Sequence, residues 1–275
     1  MEVLAKSIKF SKKLRIIPVG DIHWGNPACD TKKIDQLLNW ILKKEDTYMI
    51  GVGDYCDGIT WQDKRFSGKL TADAMDDLTY TLNRERDKIV DKLTPLAEAG
   101  KIIGLGEGNH EESLGKRYSY NMMGDVCSKR FLNVKYLGYS PLTRLSLEKK
   151  SNPGKIRNVI IYMHHGWGGG RKPGASINKL VDAIASYDCD IVISGHDHGK
   201  VGSRWPRLGI TPRGKPELVY KTVILARSGT FLRTNALGYT TYSEKFGYPP
   251  SDLGVVKINI EFKGKDKRLS MHVSE

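Results

Sequence analysis

The chain is poor in sulfur ligands. Cys29, Cys56, Cys127 and Cys189 are its only cysteines, and no two of them form a C-x-x-C pair. That spacing excludes a thiolate zinc site and a disulfide framework, so reduced and mostly buried thiols are expected. No apolar run approaches the ~20 residues of a membrane span. The opening MEVLAKSIKFSKKLRIIPVG scatters charge where a secretory leader needs about 7–15 consecutive apolar residues. A cytoplasmic protein with no membrane partner is expected. Repeats and low-complexity linkers are missing too, so residues 1–275 read as one domain, long enough to bury a core.

Acidic residues are in deficit, 31 against 44 lysines and arginines, and 44 − 31 gives a net charge of +13. Such an excess favours polyanionic partners through long-range attraction and counterion release. A generally basic, soluble surface is the plain alternative.

What recurs is a short apolar run that stops at a polar cluster: LRIIPVGDIH (14–23), TYMIGVGDYCD (47–57), KIIGLGEGNHE (101–111), NVIIYMHHG (158–166) and CDIVISGHDH (189–198). Runs of this length, rich in β-branched and aliphatic residues and bounded by glycine, read as buried strands. Between them, TKKIDQLLNWILKKE (31–45) sets Ile34, Leu37, Leu38, Ile41 and Leu42 at helical spacing behind a threonine suited to capping. Further helices are expected over 72–99 and 176–187. The alternation predicts an α/β fold with active groups at the carboxyl ends of strands. After residue 217 the pattern turns to strands, and the second half is expected to supply a second sheet packed on the first.

Histidine is scarce, with seven in all, yet His23, His110, His164, His165, His196 and His198 sit at these strand ends. A lone histidine is usually structural, but six gathered in this way point to a site. Asp21 and His23, like His196 and His198, are two residues apart, which in an extended segment puts both on one side. Imidazole, carboxylate and amide donors without thiolate suit divalent Mn, Fe, Zn or Ni, with Mn preferred. The donors exceed what one tetrahedral ion takes. Two ions about 3.5–4 Å apart clamp both the attacking and leaving oxygens of a phosphoryl displacement.

The ordered motifs, D-x-H at Asp21 and His23, G-D-x-x-D at Gly53 to Asp57, G-N-H-E at Gly108 to Glu111, H-G at His165 and G-H-x-H at Gly195 to His198, resemble the five signatures of the calcineurin-like metallophosphoesterases. The resemblance implies a four-layer α/β/β/α sandwich of two mixed sheets with a dinuclear centre between them. It implies that Asp21, His23, Asp54 and His198 hold one ion, that Asp54, Asn109, His165 and His196 hold the other, and that Asp54 bridges. His110 would be the catalytic histidine beside a metal-activated hydroxide. Asp57 and Glu111 would steady His110 or a ligand, while Asp197 is assigned no role. Only one of the adjacent pair His164 and His165 is expected to reach the metals. The family's H-G pattern selects His165, with His164 as the alternative.

Gly58 stands where the protein Ser/Thr phosphatases of the superfamily carry arginine, which argues against a phosphoprotein substrate. Trp24, Trp61, Trp167 and Trp205 follow the motifs closely, and KVGSRWPRLGITPRGK (200–215) carries five cations and no acid. Aromatics among cations suit base stacking over a cationic track. Trp24, Trp167, Arg171 and Trp205 are therefore candidate substrate contacts, with Lys172 beside them. The expected activity is metal-dependent cleavage of DNA or RNA. A phosphoesterase for nucleotides or cyclic nucleotides is the alternative, ahead of a protein phosphatase or a non-catalytic nucleic-acid-binding module. HHGWGGGRKPGA (164–175) lacks the spacing of a phosphate-binding P-loop.

Overall fold

A computed structural model describes residues 1–59, 78–168, 173–211, 214–238, 240–263 and 268–274. Trp61, Arg171 and Lys172, with the residues 60–77 ahead of the second helix, lie outside them. Strands β1 (Val3–Phe10), β2 (Lys13–Gly20), β3 (Thr47–Gly53), β4 (Ile102–Gly106), β5 (Lys135–Gly138), β6 (Leu142–Lys149) and β7 (Asn152–His164) lead to β8 (Ile191–Ser194) and β9 (Lys200–Ile210). The chain finishes with β10 (Leu218–Thr230), β11 (Gly254–Val255), β12 (Lys257–Lys263) and β13 (Arg268–Ser274). The main helices are α1 (Thr31–Lys43), α2 (Leu78–Glu98), α3 (Asn109–Tyr118), the short α4 (Met122–Asp125), α5 (Pro173–Ser186) and the short α6 (Tyr242–Lys245).

Among the described residues these strands form two mixed sheets. One runs β1-β6-β7-β8-β10-β11 with β9 on β10, and the other runs β13-β12-β2-β3-β4-β5. Period-two alternation fixes which side chains each sheet buries. Leu14, Ile16, Ile50 and Val52 of the second sheet meet Val159, Ile161, Ile191, Ile193 and Ile224 of the first in the core between the sheets. Their neighbours Ile17, Val19 and Met49 turn the other way, onto Ile34, Leu38 and Ile41 of α1 and Ile89 and Leu93 of α2. Tyr162, Val192, Val223 and Leu225 likewise turn outward onto Leu180, Ala183 and Ile184 of α5. The result is the four-layer α/β/β/α order expected from the resemblance.

Two local expectations are corrected. The cap of α1 is Asp30, whose carboxylate accepts from Lys33 N at 3.0 Å, and Thr31 is the first helical residue. An aspartate one position earlier offers a charged acceptor to the free N–H groups. The second half does supply most of one sheet, β6 to β11 joined by β1, but not with all its strands: β12 and β13 belong to the other sheet, where β12 pairs with β2.

The five polar-ended runs are strands β2, β3, β4, β7 and β8. The first three belong to one sheet and the last two to the other, so their carboxyl ends converge across the sandwich.

Candidate metal centre

The residues after these strands are not extended. Asp21, His23, Asp54, His196 and His198 all have left-handed backbones, with φ of 49°, 54°, 53°, 73° and 57°. The i, i+2 reasoning therefore reached convergence from the wrong conformation. Each left-handed non-glycine residue costs about 1–2 kcal/mol, and such residues persist where the surroundings over-determine them, often at functional sites. Here the surroundings are specific. Ile22 N and His23 N both donate to the Asp54 carbonyl, at 2.8 and 3.1 Å, and Phe231 N donates to the Asp21 carbonyl at 3.0 Å. His196 N donates to the Asp21 carboxylate at 3.0 Å. Gly195 is obligatory because a Cβ there would lie 2.8 Å from Asp21 Oδ2.

Two groups of donors result. Asp21, His23 and His198 bring ligand atoms within 4.8 Å of one another, as do Asp54, His165 and His196. His23 Nε2 and His198 Nε2 are 3.1 Å apart. His165 Nε2 lies 3.2 Å from Asp54 Oδ2 and 3.1 Å from Asn109 Oδ1, and His196 Nδ1 lies 2.7 Å from that same Asn109 oxygen. Asp21, Asp54, His23 and His165 are buried to within 2% of full exclusion from solvent.

This donor set fits a cation. The Val52 carbonyl can only accept, so His165 Nδ1 at 3.0 Å carries the proton and donates it. In the neutral ring that leaves the Nε2 lone pair facing two oxygens, a repulsive arrangement unless positive charge intervenes. Burial opposes charging of this ring, yet Asp54 and Asp21 overcome it and hold His165 up at about 10. Burial raises Asp21 to about 6 against the pull of His165. Asp54 is held well below the carboxylate range by His165 and His110, although burial works against that. A third group, sharing His23 with the first, is formed by His23, Asp57 and His110.

His164 is placed differently. It ends β7 with Nδ1 accepting from Gly166 N at 2.9 Å, and its ring stands edge-on to Tyr139 and Trp167. Burial and the neighbouring His165 and His196 lower it to about 4. Asp57 sets its carboxylate 3.5 Å from His23 Nδ1, while its carbonyl accepts from His110 Nδ1. His110 Nε2 thereby faces Asp54 Oδ2 at 4.0 Å.

Glu111 holds the backbone of the donor Asp54. Its carboxylate accepts from Asp54 N, Tyr55 N, Cys56 N and Gly108 N, all at 2.7–3.1 Å, and so clamps the β3 loop to the start of α3. Asp197, to which the sequence lent no role, makes a buried ion pair with Arg227 at 2.6 Å and a second with Lys179 at 3.1 Å. Arg227 also donates to the Gly195 carbonyl at 3.0 Å, which fixes the turn carrying His196 and His198. Sequence reasoning missed Arg227, Ser228 and Thr230, although Ser228 Oγ reaches Asp21 Oδ2 at 3.2 Å and Thr230 Oγ1 reaches the Asp21 carbonyl at 2.8 Å. The signal was present: TVILARSGT (222–230) is a sixth apolar run ending in polar residues. Glu85 was missed too. It accepts from Gly58 N at 3.2 Å, and burial followed by the charge of Asp57 raises it to about 8.

The aromatic candidates separate. Trp24 is fully buried in the core behind the site and cannot meet a substrate. The basic stretch around Trp205 is not a loop but strand β9, paired with β10 along its length. Trp205 lies opposite Val223, which packs on α5, so it belongs to the outer face of the sheet rather than to the centre. Trp167 is 43% exposed. A cleft of about 580 Å³ opens over His23, Asp54, Asn109, His110, His196 and His198. Its other side is built by residues from 232–238 and 240–252, including Thr241, Tyr242, Tyr248 and Pro249.

Converging carboxylates and imidazoles between two sheets define a metal-dependent hydrolytic centre. A family model for calcineurin-like phosphoesterases matches residues 14–200, and the chain belongs to that family. It is a metal-dependent phosphoester hydrolase. Among solved structures, it is similar to a double mutant of Vps29 from Entamoeba histolytica, with 13% identity over 95% of this chain and 98% of the other and a TM-score of 0.40. A metallophosphoesterase from Sphaerobacter thermophilus is also similar, with 13% identity over 95% and 88% and a TM-score of 0.40. GAP50 of Plasmodium shows 10% identity over 96% and 90%, with a TM-score of 0.43. No curated protein matches the chain. Among the described residues no helix is long and apolar enough to cross a membrane.

Proposed function

We propose that the chain is a phosphodiesterase that cleaves DNA or RNA, with Asp21, His23, Asp54 and His198 holding one divalent ion and Asp54, Asn109, His165 and His196 holding a second. Mn suits this oxygen- and imidazole-rich donor set, as do Fe, Zn and Ni. Bound there, the ions supply Lewis-acid polarisation of water and phosphoryl oxygens. The remaining chemistry belongs to the chain. The carbonyls of Val52 and Asp57 take the Nδ1 protons of His165 and His110, which aims both Nε2 atoms at the centre. A protonated His110 Nε2 is positioned to donate to the departing oxygen. The Asp57 carboxylate orients His23 from its far side. Trp167, exposed beside His164, is a rim contact in this reading. Four free, buried thiols suit a reducing, cytoplasmic setting.

The observation that carries the nucleic-acid reading is the cleft of about 580 Å³, large enough for a nucleotide unit beside the donors, in a chain of net charge +13. The test is hydrolysis of single-stranded DNA and RNA with and without Mn, at two salt concentrations, beside a chromogenic phosphomonoester. Mn-dependent nucleic-acid cleavage that weakens with salt and disappears in Asp54→Ala is expected. Good turnover of the monoester with no nucleic-acid cleavage contradicts the reading.

A further inference from the structure

The matched family region stops at residue 200, yet the cleft over the donors is closed on one side by residues 232–238 and 240–252. This wall is fastened at its ends. Arg233 pairs with Asp30 at 2.6 Å, Lys33 Nζ donates to the Leu253 carbonyl at 2.7 Å, and Lys200 pairs with Asp252 at 2.5 Å. Within it, Thr234 Oγ1 contacts the Pro249 carbonyl at 2.9 Å and Ser251 Oγ at 2.6 Å, drawing the two limbs together. Thr241 caps α6 by accepting from Glu244 N at 3.0 Å, and its hydroxyl donates to the Thr234 carbonyl. The fold thus sets out Tyr242 and Tyr248 on the cleft, and both keep exposed surface, 49% and 38%. The Tyr242 ring is backed by Phe246 with centroids 4.4 Å apart.

An aromatic that a fold holds in place while leaving half its surface in water is suited to a planar, apolar ligand face. Base stacking on aromatic side chains is sequence-tolerant because every base offers one. In a duplex the bases are hidden within the stack, so only an unpaired base offers that face. We propose that the wall formed by residues 232–238 and 240–252 is a base-binding subsite in which Tyr242 and Tyr248 hold the nucleobase next to the scissile phosphate, making the enzyme selective for single-stranded or frayed nucleic acid over duplex. This rests on the phosphodiesterase reading and adds the recognised feature, an unpaired base.

The test uses the intact chain loaded with Mn. Tyr242→Ala, Tyr248→Ala and both Phe variants are assayed on a single-stranded oligonucleotide, the same oligonucleotide with an abasic residue at the cleaved position, the matching duplex, and a base-free chromogenic phosphodiester. Binding of the labelled single strand is followed by anisotropy with the metal removed. For the alanine variants the expected result is about tenfold higher KM and weaker binding, with kcat within about twofold and an unchanged rate on the chromogenic diester. Phenylalanine should restore binding, and the abasic strand should bind the wild-type chain about as poorly as the intact strand binds the alanine variants. If intact and abasic strands are cleaved alike and alanine changes nothing, the subsite is overturned while the phosphodiesterase reading stands. If the wild-type chain hydrolyses the chromogenic diester but no nucleic acid, both readings fail together.

Discussion

The two sides of the cleft are made by different means. On the floor, the conformation of each donor is enforced by main-chain contacts and buried charge: left-handed turns at Asp21, His23, Asp54, His196 and His198, the Glu111 clamp on four N–H groups, and the Arg227–Asp197 pair beneath Gly195. On the wall, each ion pair that ties an end has one solvated member, Asp252 at 70% and Arg233 at 48% exposure, against Lys200 at 12% and Asp30 at 14%. Buried polar networks lose much when one member is removed, whereas exposed pairs contribute little. The difference teaches where chemistry and selectivity are separable. The floor must hold atoms in place, and the wall need only present surface.

The comparison is broken most severely at the floor. Asp54→Ala, which removes the carboxylate facing both histidine groups, is expected to lower phosphoester hydrolysis by more than about 100-fold and to reduce bound metal. Activity assays and metal analysis check this. Glu111→Ala leaves four buried N–H groups without their acceptor and is expected to cost at least about 3 kcal/mol in denaturant unfolding, with Glu111→Gln costing less. Arg227→Met strips Asp197 of its 2.6 Å partner and is expected to cost about 3 kcal/mol. By contrast, Lys200→Met at the wall, which removes the ion pair to exposed Asp252, should cost no more than about 1 kcal/mol. Equal losses in those two variants would remove the distinction between floor and wall.

A separate expected effect is on pH dependence. Burial, and then the charge of Asp57, raises Glu85 from the ordinary 4.5 to about 8. Its contribution to stability is fully present below about 4.5 and is lost as pH rises through about 8. Unfolding of the metal-free protein across that window should show stability falling with pH, and Glu85→Gln should flatten the fall.

The floor was far more legible in the sequence than the wall. Apolar runs ending in Asp, Asn or His mark strands that deliver donors, and they gave β2, β3, β4, β7 and β8 and the residues that converge from them. The pattern conveyed which residues gather but not how. Left-handed turns at Asp21 and His198 leave no sequence mark, because aspartate and histidine are ordinary residues elsewhere. Arg227 and Asp197 went unread because a buried pair between distant positions has no local spacing. Trp24 shows the converse error: its closeness to His23 in the chain suggested a substrate contact, while the turn sends it into the core. The wall has neither a motif nor strong periodicity, so Tyr242 and Tyr248 became visible only when the cleft did.

Counting ions in two adjacent variants tests the account most directly. His165 has its Nε2 within 3.2 Å of Asp54, whereas the Nδ1 of His164 is engaged by Gly166 N. Metal analysis of purified His165→Ala should show the loss of one ion relative to the wild-type chain, and His164→Ala should keep both. Loss of an ion in His164→Ala with both retained in His165→Ala would contradict the account.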